Sequence, residues 1–597
     1  MGKINNITKI SQVTPEVTLF LRNLGFTNYY IIKIFDLVGD AAIGLTEDNP
    51  YWLLEEFPRM GFEKVDQVAR KLGIGPDDNY RLEAAVAYGL RAYSAEGHVY
   101  APLDELCLKV TEFLDSSTDL VRDVLEDMAY SGSVQIANLA GSPVVYFYGY
   151  YKAECAIAGK LAALADPAEG LAPVGADIDA LIRKCQTDRC VELSEEQTAA
   201  VKNSLRSGVS IITGGPGTGK TTVINALLNI FEGNGHRIAV AAPTGRAAKR
   251  VMETRGRFAC TVHRLLEYYY DEETGYMCFG RNAAEPLDVN AVIIDEASML
   301  DLMLMEALCD AIKPGTRLIL VGDADQLPSV GAGNVLADLI DSEYFFTAHL
   351  TEIHRQSAES RIVTNAHRIN HGDEPSYGGD FMLVPGDKQQ EILEKIASIA
   401  ARHQLSDVQV LTPTKKGILG SVNLNERLQQ VFNPSSPEKS QLEFGSKVFR
   451  VGDRVMQIKN NYRLECRVGG ETVKGVFNGE IGIIKGVDKE MRSVTVLYDD
   501  ERWAEYPYVQ LDEIELAYAV TVHKSQGSEF PVVILPMTWF PPVLATRSLL
   551  YTAVTRGKKQ VIIVGRSDYL AAMAQNNQSR SRNSGLKDRL TGLYQMF

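Results

Sequence analysis

The chain changes rhythm along its length. From about residue 191 onward, short, mostly apolar runs alternate with longer stretches of helical spacing. Val209–Thr213, Arg237–Ala242, Ala291–Ile294 and Arg317–Gly322 are such runs. Their shortness and β-branched content predict buried strands of a parallel sheet, because a strand covered on both faces loses the in–out alternation. Val223–Phe231, directly after the first run, has helical spacing, and Val408–Thr412 restarts the same rhythm later. The pattern therefore predicts an α/β protein with two similar lobes. Gly452–Gln510 breaks the pattern with short β-rich runs between turns, including Asn478-Gly479, a hairpin signal. That stretch reads as a small inserted β-barrel.

Before residue 191 the grammar is different. Phe20–Phe26 leading into Ile31–Ile34, and Leu53–Phe62 leading into Val65–Leu72, each read as helix, Gly-Phe turn, helix. Such helix-hairpin-helix units either grip a DNA phosphate by turn amides or simply pack. Leu103–Leu114 and Leu120–Ser131 are amphipathic, and Val134–Ile136 and Val144–Tyr148 flank a Gly141 turn. This is a winged-helix pattern, which serves duplex DNA or protein partners. Asp166–Pro173 reads as a linker.

The apolar runs end in chemistry. Val209–Thr213 runs into Gly214-Gly215-Pro216-Gly217-Thr218-Gly219-Lys220-Thr221-Thr222, the spacing of a phosphate-binding loop. Its glycines let backbone N–H groups wrap a phosphate chain at a helix N-terminus. Lys220 is placed for the β- and γ-phosphates and Thr221 for Mg²⁺. The strand at Ala291–Ile294 ends in Asp295, suited to hold Mg²⁺ through water, and Glu296, suited to polarise the attacking water. Arg317–Gly322 leads to Gln326, positioned to sense the γ-phosphate. Arg355 and Arg556 lie where a second lobe presents arginines to that phosphate. Gln197 falls at the third helical position after Ser194, so it serves a capping box or an adenine edge. Gly527 and Glu529 are candidates for nucleotide contact.

A second set of strand-end residues points to a polynucleotide track. Thr244 and Arg246 with Lys249 and Arg250, His263 in a second such element, Thr412 in the second lobe, and Thr521 and His523 are the candidates. Tyr268–Phe279 reads as a hairpin around Thr274-Gly275, carrying Tyr268, Tyr269, Tyr270, Tyr276 and Phe279. Stacking supplies roughly 1–3 kcal/mol per base, against roughly 1.4 kcal/mol for an average base-pair step. An aromatic wedge is thus physically adequate to split a duplex; the other reading is a structural flap.

Composition narrows the partners. Net charge is −15, which argues against indiscriminate coating of nucleic acid but leaves local channels open, since charges beyond about 8 Å are screened. Local basic excess lies in Thr244–Arg264 and in Ser446–Lys474. The cysteines form no CxxC pair, so free thiols in a reducing compartment are expected. His367 and His371 are four apart, but Arg368 stands where a zinc-site glutamate belongs, which argues against metal there. No apolar run approaches a membrane span, and Met1–Ile10 lacks the core of a signal peptide; a cytoplasmic protein is expected.

Gly214–Thr222, Asp295–Asp301, Gly322–Ser329, Thr521–Glu529 and Tyr551–Arg556 together resemble superfamily-1 helicases, in particular the bacterial RecD-like helicases of the long form outside the RecBCD complex. The resemblance implies two RecA-like motor domains, at about 191–350 and 351–597. It implies a strand-separating pin at about 267–285 and an SH3-like insertion at about 450–515. A helix-hairpin-helix-like region (1–95), a winged-helix-like region (96–165) and a linker (166–190) would precede them. It assigns phosphate and Mg²⁺ binding to Lys220, Thr221 and Asp295, water activation to Glu296, coupling to Gln326, arginine fingers to Arg355 and Arg556, and adenine contact to Gln197. The implied activity is ATP-dependent 5′→3′ translocation on single-stranded DNA with duplex unwinding. Expected partners are single-stranded DNA, single-strand/duplex junctions and other DNA-repair proteins, met as a monomer. The rival readings are a translocase that does not unwind and an ATP-binding scaffold with a degenerate motor. The intact Lys220, Asp295 and Glu296 argue against the second.

Overall fold

The computed structural model describes residues 13–57, 60–114, 116–165, 170–175, 177–255, 259–271, 275–353, 359–498, 501–577 and 582–592. The apolar runs of the first lobe form strands β1 (Val209–Gly214), β2 (Ile238–Ala242), β3 (Cys260–Thr261), β4 (Ala291–Ile294), β5 (Arg317–Gly322) and β6 (Phe346–Leu350). They make one sheet in the order β6–β1–β5–β4–β2–β3, with every pairing parallel. The central strands β4 and β5 are buried at every residue, as the unbroken apolar runs require. Helices Glu195–Arg206 and Lys220–Gly233 share a core with this sheet through Val201, Leu205, Val223, Leu227 and Phe231.

The second lobe repeats the plan with β7 (Phe381–Pro385), β8 (Val408–Thr412), β9 (Ala519–Thr521), β10 (Phe530–Met537) and β11 (Gly557–Gly565). Their order is β7–β11–β10–β8–β9, again all parallel. In both lobes the polar motifs begin where strands end, the edge at which open α/β sheets bind ligands.

Between β8 and β9 the chain leaves the lobe. It builds a seven-stranded antiparallel sheet running from Arg454–Gln457 to Ile514–Leu516. This insert has its own core around Phe449, Val455, Cys466, Val494 and Tyr506. Asn478-Gly479 does not close a hairpin: the flanking strands Glu471–Val476 and Ile481–Asp488 are not neighbours in the sheet. The tight hairpin is at Gly469-Gly470, where Val468 faces Glu471 and both glycines have positive φ (56° and 96°). Two consecutive left-handed positions match the right-handed strand twist, and only glycine takes both without strain.

The structure corrects the expected linker at 166–190. Helix Ile178–Arg189 lies within it, and Ile182 belongs to the first lobe's core beside Val174 and Leu193. Residues 166–169 and 176 lie outside the described residues. The chain divides instead at Ala153/Glu154, inside helix Tyr148–Ala165. The unit before that point has a single core running from Val13 to Val145, so the helical hairpins and the winged element are packed as one body. Its wing is a three-stranded sheet of Tyr100–Pro102, Ser142–Phe147 and Val134–Leu139. The paired hairpin grammar also diverges: Gly25 caps its helix at φ 98°, whereas Gly61 precedes helix Phe62–Lys71 at φ −64°.

Assigning everything after 351 to the second lobe needs a further correction. Arg582–Asp588 belongs to the N-terminal unit, where the Asn583 carbonyl accepts from Val99 N–H at 2.7 Å and Asn583 N–H donates to His98 Nδ1 at 2.9 Å. Among the described residues no helix is long and apolar enough to cross a membrane.

Candidate functional site

β1 delivers the glycine loop to the N-terminus of helix Lys220–Gly233. Gly217 and Gly219 adopt φ of 77° and 84°, which turns successive amides toward one concavity. Thr218 is buried and its hydroxyl donates to the Gly215 carbonyl at 2.9 Å. Lys220 Nζ donates to the same carbonyl at 3.0 Å and to that of Gly214. A side chain at Gly214 would meet the Leu350 carbonyl and Thr218 Oγ1, each at 2.7 Å, so the cradle tolerates only glycine there. Thr221 and Thr222 follow on the first helical turn, half-buried. The loop thus fits a nucleoside triphosphate on chain geometry alone.

Gln197 is 1% exposed. Its Oε1 accepts from Ser194 N–H at 3.1 Å while its Nε2 donates to the Thr218 carbonyl at 3.1 Å. The capping box is formed, and both halves of the amide are engaged within the protein. An adenine edge would have to displace one of these bonds.

β4 ends at Asp295, whose Oδ1 accepts the Glu296 amide at 3.0 Å. Glu296 sits in the left-handed region at φ 55° and is 9% exposed. Arg250 Nη1 donates to Glu296 Oε1 at 3.0 Å, and its Nη2 reaches Glu529 Oε1 of the second lobe at 2.8 Å. Lys558 Nζ holds the other Glu529 oxygen at 3.0 Å. Burial opposes the charge of Glu529, but Arg250 and Lys558 hold its carboxyl below the usual range. Arg250, expected along the track, thus faces the acidic pair, and Glu529 is held by cations rather than open to a nucleotide.

β5 ends at Asp323, 1% exposed. Tyr551 of the second lobe donates to Asp323 Oδ2 at 2.8 Å, and Gln326 Nε2 donates to the same oxygen at 3.1 Å. Gln326 Oε1 accepts from Arg556 Nη2 at 2.9 Å. Arg556 is 2% exposed, with Nε on the Thr552 carbonyl at 3.1 Å and Nη1 on the Ser528 carbonyl at 3.2 Å. Leu327 N–H donates to Thr552 Oγ1 at 2.9 Å, and Gln526 Nε2 donates to the Leu327 carbonyl at 2.7 Å. Burial and the Asp323 charge push the Tyr551 phenol far up. Tyr551 and His367 both lie against the glycine loop: a side chain at Gly215 would meet the Tyr551 hydroxyl at 3.0 Å and the His367 ring at 3.4 Å. Burial lowers the His367 pKa. Arg355 lies outside the described residues.

The track candidates separate. Thr244 Oγ1 accepts Ala247 N–H at 3.3 Å at the start of helix Gly245–Arg255. Gly527 approaches so closely that a side chain there would meet Thr244 Oγ1 at 2.8 Å; Gly527 is a seam residue between lobes. Arg246 Nη1 donates to Ser528 Oγ at 2.8 Å and lies over the Phe530 ring. Thr521 ends β9 half-buried, and His523 is exposed in the turn after it. Thr412 is a correction: it is fully buried and its hydroxyl donates to the Leu419 carbonyl at 2.7 Å, so its side chain faces no solute. His263 is half-buried under Tyr268, with ring centres 5.2 Å apart.

The aromatic hairpin pairs Tyr268 with Phe279 and Tyr270 with Met277; residues 272–274 lie outside the described residues. Its base is a cluster: Tyr268 packs on Phe279 at 4.5 Å and on Tyr462 of the insert at 5.3 Å. Arg463 stacks over Tyr270 at 3.9 Å. Tyr269 and Tyr276 project, 49% and 75% exposed. The candidate aromatics therefore divide into two that anchor the hairpin, Tyr268 and Phe279, and others that face solvent.

Reading the motifs left out Asp323, Tyr551, Gln526 and His367 as site members. The first three lie inside motifs already singled out, and that clustering is the signal they offered. For His367 the sequence offers only its four-residue spacing to His371, which speaks to a metal and not to the glycine loop.

Family models match along the chain: an AAA domain over 192–381, an ATP-dependent RecD2 DNA helicase HHH domain over 11–100, an ATP-dependent RecD-like DNA helicase SH3 domain over 424–498, and a UvrD-like helicase C-terminal domain over 516–564. The ATP-dependent RecD2 DNA helicase of Deinococcus radiodurans is 32% identical over 586 residues, covering 96% of this chain and 77% of that protein. The RecBCD enzyme subunit RecD of Mycobacterium tuberculosis is 32% identical over 66% of this chain and 73% of that protein. Among solved structures, Bacteroides Pif1 bound to single-stranded DNA covers 62% of this chain and 92% of its own at 19% identity, with a TM-score of 0.38. Pif1 helicase from Candida albicans covers 65% and 97% at 17% identity, with a TM-score of 0.39.

Proposed function

This chain belongs to the RecD2 family of ATP-dependent DNA helicases, and from that premise we propose that it walks 5′→3′ along single-stranded DNA and opens duplex at a junction. The observation that carries the reading is the chain of hydrogen bonds from Asp323 and Gln326 at the end of β5 to Tyr551 and Arg556 of the second lobe. It joins the strand end beside the phosphate loop to the opposite lobe, so that a change at the nucleotide moves one lobe against the other.

In this mechanism Lys220 leaves the Gly214 and Gly215 carbonyls to neutralise the β- and γ-phosphates of the substrate ATP. Thr221 and Asp295 would hold Mg²⁺, which neutralises charge developing on the transferred phosphoryl oxygens. Glu296 accepts the proton of the attacking water. Gln326 reports loss of the γ-phosphate through Arg556, whose guanidinium exchanges its amide partner for phosphate oxygen. Arg355 is the second arginine of the pair. Loop amides of Gly215 and of residues 217–222 bind the triphosphate chain, with Pro216 shaping the turn between them and Gln197 beside the adenine after one of its bonds yields. Gly527 and Glu529 act at the seam.

Thr244, Arg246, Thr521 and His523 contact the track, His263 supports the hairpin, and Tyr269, Tyr270 and Tyr276 part the base pair over the Tyr268–Phe279 base. The protein works as a monomer in the cytoplasm on single-stranded DNA and single-strand/duplex junctions, alongside DNA-repair proteins.

A forked duplex with either a 5′ or a 3′ tail, with phosphate release measured in parallel, tests this. Opening is expected only with the 5′ tail, and Lys220→Ala should abolish both signals. Turnover that survives Lys220→Ala would remove the site assignment; opening from the 3′ tail alone would reverse the polarity. DNA-stimulated turnover with neither fork opened would leave a translocase that does not unwind.

A further inference from the structure

Helix Gly245–Arg255 makes two sets of contacts along its length. Its first turn presents Thr244 and Arg246 to the seam where the loop Ser525–Glu529 of the second lobe rests. Arg250, slightly more than one turn further along, reaches the acidic pair at the end of β4. One guanidinium therefore bridges Glu296 of the first lobe and Glu529 of the second, with Lys558 completing the row. A planar fork with several donors can serve two carboxylates at once, which an ammonium cannot do as well.

We propose that Arg250 is the positioning residue that couples the track to hydrolysis: without DNA it holds the Glu296 carboxylate away from the attacking water, and a strand seated at Thr244 and Arg246 draws it off. The proposal rests on Glu296 as the water-activating carboxylate. A carboxylate oxygen that accepts a charge-assisted bond from arginine is held in one orientation and is not free to take a water at that position. Glu296 is also 9% exposed and its backbone is held at φ 55°, so it has little room to swing around the guanidinium. Arg250 is less confined, with its side chain 37% exposed. The second carboxylate gives it somewhere to go: Glu529 moves with the other lobe, so a shift of that lobe relative to helix Gly245–Arg255 changes which acid it favours. Burial works against the Arg250 charge, but Glu296, Glu529 and Asp295 together hold its pKa above the usual arginine value, so it stays a cation throughout.

The test compares steady-state phosphate release with and without a poly-thymidine strand in wild type, Arg250→Met, Arg250→Lys and Glu296→Gln. Binding of a fluorescent ATP analogue and thermal melting are measured on each. Arg250→Met should raise DNA-free turnover roughly tenfold, the lower end for a lost charge-assisted bond, and shrink the stimulation by DNA in proportion, with nucleotide affinity unchanged. Arg250→Lys should fall between, and it decides the matter should the methionine variant melt early. Glu296→Gln should be inactive in both conditions. If Glu296→Gln is inactive while both Arg250 variants keep the wild-type ratio of stimulated to basal turnover, the coupling role is wrong and the catalytic reading stands. A fall in DNA-free turnover in Arg250→Lys likewise overturns the proposal, because the arginine then helps the reaction. If Glu296→Gln retains turnover, the reading beneath the proposal fails first.

Discussion

Two ionic clusters in this chain use the same groups to opposite ends. In the N-terminal unit, Asp66 accepts from Arg81 Nε at 2.7 Å, from Tyr51 at 2.7 Å and from Arg70 at 3.1 Å, while Arg81 Nη1 donates to the Pro76 carbonyl at 2.7 Å. Arg81 is 1% exposed, and every partner comes from one short stretch of chain. Burial disfavours the Asp66 charge, yet the bonds from Arg81 and Tyr51 outweigh it and hold the carboxyl below its usual range. In the motor, Arg250 is divided between carboxylates of different lobes and keeps access to water. A buried ion closed upon itself has no second arrangement at comparable energy, so it locks the helices around it. An ion shared across a boundary has two, and so can switch. What matters is where the partners come from.

Breaking the motor side should have the largest effect. Arg556→Ala removes the group that ties Gln326 to the second lobe, and turnover should fall by about 10³-fold with ATP analogue binding retained; unchanged turnover would deny it a role at the phosphate. Breaking the N-terminal cluster should cost stability and not chemistry. Asp66→Ala strands the buried Arg81 charge and should destabilise by about 3–5 kcal/mol in urea unfolding, while turnover per folded molecule stays at the wild-type level. A parallel loss of turnover would show that the two clusters are not separate devices.

A third acid sharpens the contrast through pH. Glu515, on the last strand of the insert, accepts from Lys415 and from Lys524, the latter at 2.9 Å. Burial opposes its charge, but these bonds push its pKa down to about 2 from 4.5. A carboxyl depressed in the folded state contributes stability that is complete above its unfolded pKa and is lost as pH falls through the folded one. Glu515→Gln should therefore cost about 1–2 kcal/mol after solvent screening at pH 7, and the gap to wild type should close between about pH 4.5 and 2. A pH-independent gap would mean that packing, and not the ion cluster, holds this strand.

Much of the site could be read directly because its parts are local. Gly214–Thr222 announces itself since the strand, the glycines and the helix that shape the loop are contiguous. Asp295 and Glu296 stand out as candidates for the same reason, following one apolar strand, and Gln326 follows another. Thr412 reads as a track contact because its surroundings in sequence mimic those of Thr244, whereas packing turns its hydroxyl inward to the Leu419 carbonyl. Arg250 reads as a track contact because its neighbours in sequence are basic, whereas its partners lie 46 and 279 positions away (296 − 250 and 529 − 250). Asn478-Gly479 carries a strong hairpin signal, yet the strands on either side of that turn are not neighbours in the sheet.

Taken alone, the chain's pattern of apolar runs and glycine punctuation determined the strands and helices of two α/β lobes, the β-rich insert and the glycine loop, because each of these elements is written in a contiguous stretch of chain. The tertiary structure decided the division inside helix Tyr148–Ala165, the return of Arg582–Asp588 to the N-terminal unit, and the pairing of Arg250 with carboxylates of both lobes. These depend on which surfaces meet, and a side chain's partner across a seam is set by the packing of whole sheets rather than by its neighbours along the chain.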